Sequence, residues 1–106
     1  MKHVTNIYDE LGWKKASAYP VGTRIKVLRD ENTSKTILLK LPAGFQMDSH
    51  AHIYDEQQVV IEGEYESEGK VFSSGTYRAI PADKDHGPFK SKGGAVILVI
   101  WNTQKN

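Results

Sequence analysis

An all-β fold is predicted for this sequence by three features of its pattern. Apolar and polar residues alternate with period two in short segments, helical periodicity is nearly absent, and nine Gly and four Pro are spread along the chain rather than clustered. Short strands divided by turn signals at intervals of roughly 8 to 12 residues build a sandwich or a small barrel. In chain order, residues 6–15 hold the best helical candidate, with Ile7, Leu11 and Lys14 on one face, but Gly12 weakens it. The fold therefore has at most one short N-terminal helix. Residues 23–29 (TRIKVLR) alternate as a half-buried strand does, and residues 30–34 (DENTS) are a cluster of turn formers. A second strand at 35–41 is stopped by Pro42, Ala43 and Gly44, and strands at 57–61, 65–72, 76–80 and 95–101 complete the set.

The 106 residues suffice for one domain, read as an N-terminal arm, residues 1–22, packing on a β-domain, residues 23–106. Cysteine is absent, which excludes disulfides, thiolate metal sites and cysteine nucleophiles. A formal net charge of +1 speaks against a nucleic-acid binder, whose surface is usually strongly basic. The longest apolar run, residues 95–101, is far short of the ~20 residues of a membrane span. The opening MKHVTN begins no signal peptide, since no apolar stretch follows. A cytoplasmic protein without membrane or nucleic-acid partners is the expectation.

Three of the four histidines fall in a telling arrangement. His50 and His52 lie two apart, which on a strand puts both imidazoles on one face. Glu56 follows across Ile53, Tyr54 and Asp55, where a short turn could bring its carboxylate back toward the same interior. His86 comes 34 residues after His52, beyond Gly75 and Pro81. Singly these residues are ordinary, for a lone His-x-His is commonly a surface pair and Glu56 is one of seven glutamates. Together they make a four-ligand cage of imidazole and carboxylate, a set that suits one divalent transition metal per chain: Fe, Mn, Ni, Cu or Zn. Four protein ligands leave open positions on a six-coordinate metal, as a catalytic site requires. His3 has no partner in the sequence and is given no role.

That spacing resembles the cupin superfamily. Its first motif, G-x5-H-x-H-x3-E-x6-G, is filled at every fixed place by Gly44, His50, His52, Glu56 and Gly63, a match expected by chance on the order of one in a million per starting position. The second motif, G-x5-P-x-G-x2-H-x3-N, is matched at Gly75, Pro81 and His86; Asp83 stands in place of its later glycine and Lys90 in place of its asparagine. Within the superfamily, Gly75-Thr76-Tyr77 through His86-Gly87-Pro88-Phe89 is most similar to the ChrR-like cupins, and Trp13 ahead of Val21-Gly22 resembles that group's N-terminal pattern. The resemblance implies a small jelly-roll-type β-barrel with the metal between its sheets, held by His50, His52, Glu56 and His86. A ChrR-like cupin can be joined to a zinc-binding anti-sigma module, but a chain without cysteine is not expected to be a complete anti-sigma factor.

Fold does not select a reaction. If Glu56 points inward, alternation places Gln58 and Val60 on the same face, and the Gln58 amide could orient water, oxygen or substrate beside the metal. Phe45, Met47, Phe89 and Trp101 are candidates for an apolar pocket wall, and Asp85 is a candidate acceptor for the neighbouring imidazole. Glu62, Glu64, Glu66 and Glu68 alternate as a solvent-facing row. The expected activity is an oxygenase-type, dioxygenase-like reaction on a small enolic, diketo or phenolic substrate, with Glu56 and Gln58 as catalytic groups. The alternative is a non-catalytic zinc-binding or ligand-sensing domain. Cupins of this size are often homodimers, and Val4, Ile7 and Tyr8 could contribute to such an interface.

Overall fold

The alternating segments become strands. The computed structural model describes residues 4–103, so His3 lies outside the described residues. In chain order the strands are β1 (Lys14–Lys15), β2 (Arg24–Asp30), β3 (Ser34–Leu41), β4 (Phe45–Met47), β5 (Asp55–Ser67), β6 (Lys70–Ser73), β7 (Tyr77–Ile80), β8 (Phe89–Ser91) and β9 (Ala95–Asn102). They pair antiparallel in the order β1-β2-β3-β9-β5-β8-β4, and β6 and β7 also pair with β5. The result is an all-β curled antiparallel sheet, with no helix among the described residues.

The 13-residue β5 organises the fold. Its residues 55–63 pair with β9 and 56–59 with β7, while 64–67 pair with β6 and 66–67 with β8. One strand thus serves two sheets, one with β9 and β7 and the other with β6 and β8. A bulge between Val60 and Glu62 marks the passage. Before it the even-numbered Glu56, Gln58 and Val60 are buried; beyond it the odd-numbered Tyr65 and Ser67 are. An extra residue in one strand shifts the two-residue side-chain period, and that shift is what the burial records. Gly63 has φ +70°, and a side chain there would run into the Gly94 carbonyl oxygen just before the neighbouring strand β9.

The core fills the concave side. Ile37, Leu39 and Leu41 of β3 meet Ile97 and Val99 of β9, with Val60, Tyr65, Phe45 and Phe89 closing around them. On the other side of β2 the Lys26 ammonium donates to the Asp9 carbonyl oxygen at 2.8 Å and lies 5.7 Å from the centre of the Trp13 ring. Lys40 approaches the same ring at 5.9 Å.

Two expectations are corrected. Residues 6–13 form turns and Lys14–Lys15 the strand β1, instead of a helix: the Asn6 carboxamide oxygen accepts from Tyr8 N–H at 2.9 Å and the Asp9 carboxylate from Leu11 N–H at 3.0 Å. Such local side-chain bonds compete with a helix, and Gly12 at φ +87° completes the break. Residues 65–72 are not one strand but a hairpin, because Glu68 and Gly69 both have positive φ (55° and 75°), as a two-residue primed turn requires. Glu62, Glu64 and Glu66 are exposed on β5, and Glu68 sits in that turn. The short strands β1, β4 and β8 carry too few residues to show a period and went unread.

Candidate metal centre

Backbone pairing brings the histidines together. His50 and His86 face each other as an isolated antiparallel bridge, His50 N–H donating to the His86 carbonyl at 3.0 Å and His86 N–H returning the bond at 2.9 Å. The His52 carbonyl accepts from Asp83 N–H at 2.7 Å. Asp83, where the motif has glycine, takes φ +60°, a left-handed conformation that glycine adopts freely and aspartate tolerates. The departure from the motif therefore keeps the turn it encodes. Between His52 and β5 the chain bends at Ile53 and Tyr54, and the Asp55 carboxylate accepts from Ala82 N–H at 2.8 Å.

The three imidazoles converge, each offering a nitrogen within 4.8 Å of the others. His50 Nε2 and His52 Nε2 are 3.1 Å apart. Two nitrogens about 2.1 Å from one ion and at a right angle would stand roughly 3.0 Å apart. His50 Nδ1 faces the Asp48 carbonyl at 3.3 Å, a bond in which Nδ1–H donates and Nε2 keeps its lone pair toward the cluster. His86 is 4% exposed, yet both its ring nitrogens lack a hydrogen-bond partner among the described residues. Asp85 is thus not its acceptor. An imidazole buried with two unpaired nitrogens is costly, and a metal ligand bond would satisfy one of them. Burial, the largest cause, holds the His52 and His86 imidazoles below the usual histidine range; the Glu56 charge opposes it and neighbouring imidazoles reinforce it. These are neutral-donor residues, the form a metal needs. The donor set fits a divalent transition metal.

Glu56 stands beside this group, with Oε1 at 3.3 Å from His52 Nε2. The same oxygen accepts from the Trp101 indole N–H at 2.8 Å, and Oε2 accepts from the Gln58 amide. Gln58 in turn accepts from the Tyr65 hydroxyl, which accepts from the Arg78 guanidinium at 2.8 Å; Arg78 also pairs with Glu68 at 3.0 Å. Every donor in the chain from Arg78 to Glu56 points toward the carboxylate. Gln58 is buried at 7% and faces inward, while Gln57 is exposed and accepts from the Tyr77 hydroxyl.

The histidines form part of the wall of a cavity of about 40 Å³. Phe45, Met47, Phe89 and Trp101 line it, as do the apolar side chains of β3 and β9. So do Tyr19 and Tyr65, which sequence reasoning did not single out. Tyr65 could have been found only by counting through the bulge; Tyr19 sits in a turn distant in sequence, where no local pattern marks it.

A curled antiparallel sheet with a histidine cluster on its concave face defines a cupin. The chain belongs to the ChrR cupin-like domain family, which matches residues 1–104. No curated protein matches it. Among solved structures it is similar to a chain in the complex of Rhodobacter sphaeroides SigE with the anti-sigma ChrR (21% identity, TM-score 0.75), covering 90% of this chain and 51% of that one. It spans, then, about half the length of that relative. KdgF from Halomonas sp. matches at 20% identity and TM-score 0.76, over 93% of this chain and 94% of that one. An acetylacetone dioxygenase from Acinetobacter johnsonii matches at 17% identity and TM-score 0.77, over 96% and 77%. At these identities the likeness is one of fold.

Proposed function

We propose that the chain is a mononuclear metal-binding cupin with oxygenase-type activity on a small enolic, diketo or phenolic substrate. The observation that carries this reading is the convergence of His50, His52 and His86 on a small apolar cavity, with the buried His86 nitrogens unpaired. In this reading the three imidazoles hold the metal and Glu56, 3.3 Å from His52, is the fourth ligand within reach. A redox-capable divalent metal would supply Lewis-acid and electron-transfer chemistry there. Where Glu56 does not hold the metal, its carboxylate is available to take a proton from a substrate carbon, and Gln58 and Trp101 orient it by donating to its two oxygens. The shared fold with an acetylacetone dioxygenase supports a diketone as the first substrate to try.

The likeness to the SigE–ChrR complex favours a second reading, a non-catalytic zinc or ligand-sensing domain. Metal analysis of untagged protein, purified without a nickel column, separates the two. About one Fe, Mn, Ni or Cu per chain, with oxygen uptake on adding acetylacetone, is the result expected for the enzyme. One zinc per chain without oxygen uptake speaks for the sensor. His86→Ala is expected to abolish stoichiometric metal binding in either case, and full occupancy in that variant would overturn the centre itself.

A further inference from the structure

The polar groups that face the cavity are almost all committed. Glu56 accepts from Trp101 and Gln58, Gln58 is bonded to Glu56 and Tyr65, and Tyr65 is bonded to Gln58 and Arg78. The three imidazoles are the metal donors of the reading above. Tyr19 is the exception: it lines the same cavity, and no group among the described residues hydrogen-bonds its hydroxyl.

Tyr19 is also held in place. It lies in the turn between β1 and β2, where Tyr19 N–H donates to the Ala16 carbonyl at 3.1 Å and Thr23 N–H to the Pro20 carbonyl at 3.2 Å. Ala16 N–H donates to the Thr23 carbonyl at 3.0 Å, and both Ala16 and Thr23 are buried, so the base of the turn is fixed. The ring packs against the core cluster. Burial, with the Glu56 charge second, pushes the phenol up to about 12, which keeps it a proton donor throughout the physiological range.

We propose that Tyr19 is a specificity-determining residue whose hydroxyl donates a hydrogen bond to a carbonyl or enolate oxygen of a small chelating substrate held at the His50–His52–His86 centre. The proposal rests on the metal-binding reading. A molecule that fills the cavity and binds the metal finds its remaining donor in Tyr19, because the other polar side chains there already bond one another. Small oxygen-rich chelators are therefore preferred over apolar molecules of equal size, and the N-terminal arm becomes part of the site.

The test uses zinc-loaded protein, wild type and Tyr19→Phe, titrated by calorimetry with acetylacetone and with acetohydroxamate. Tyr19→Phe keeps the ring and removes a hydroxyl that bonds no protein group, so zinc stoichiometry and melting temperature stay as in wild type. Affinity for both probes is expected to fall roughly ten-fold, the scale of one hydrogen bond to a polar ligand. Tyr19→Met, which keeps apolar bulk without the hydroxyl, shows the same loss and replaces Tyr19→Phe should that variant not fold. Unchanged affinity in the variants overturns the role of Tyr19 and leaves the metal centre intact. So does failure of the zinc-loaded wild type to take either probe. A wild-type protein that holds no zinc overturns both readings.

Discussion

At the scale of single residues, the carboxylate of Glu56 is the end point of a directed series of hydrogen bonds. Tyr65 is its middle link, receiving from Arg78 and giving to Gln58. Tyr65→Phe leaves the Gln58 oxygen and one Arg78 N–H without that partner in a buried setting, which costs about 1–3 kcal/mol. Urea denaturation of the metal-free protein is expected to show that loss with an unchanged denaturant slope; a midpoint equal to wild type would mean water replaces the hydroxyl at no cost. The three histidines and Glu56 were legible from spacing because the motif fixes both their residue types and their intervals. Tyr65, Arg78 and Tyr19 were not, because each reaches the cavity through pairing between segments distant in sequence. Asp83 was legible only as a departure, and its positive φ shows that the position demands a backbone conformation more than a glycine.

Among the elements, β5 decides how the site is assembled. Read along the sequence, its residues pose a conflict: Glu56, Gln58 and Val60 inward and Glu62, Glu64 and Glu66 outward are all even-numbered, which a regular strand forbids. The bulge between Val60 and Glu62 resolves it and lets Gln58 and Tyr65, seven residues apart, face the same interior. Both halves of the pattern were readable, but the extra residue that reconciles them was not. Of the strong strands, β2 was readable because it alternates over its seven residues, and β3 and β9 because they are apolar-rich segments of eight residues bounded by turn formers. Close beyond the bulge, Gly63 faces the Gly94 carbonyl at positive φ, whereas Gly75, also at positive φ, has open space around its Cβ position. Gly75→Ala is expected to cost only backbone strain, about 1–2 kcal/mol. Gly63→Ala adds a backbone collision to that strain and should cost at least about 2 kcal/mol more. Equal melting temperatures for the two variants would show that the segment leading into β9 yields freely at Gly94.

For the whole molecule, stability and metal loading are linked through the imidazoles. His52 and His86 bind protons less readily when folded than when unfolded, since burial depresses both. Between the ordinary histidine value of about 6.5 and the lower folded values, the unfolded chain holds more protons, so stability rises with pH in that window. Metal-free protein is therefore expected to be most stable above about pH 6.5 and to lose stability as the pH falls below it, as thermal melts at pH 7.5, 6.0 and 5.0 would show. Protons also compete with metal for the same nitrogens, so metal-loaded protein should lose its added stability over the same acid range. A flat melting temperature across these values would place the titrating imidazoles in water. A last property follows from β5 belonging to both sheets. Opening either sheet loosens a strand on which the other also depends, so the amides of β5 on either side of the bulge are expected to be among the slowest in the domain to exchange with solvent.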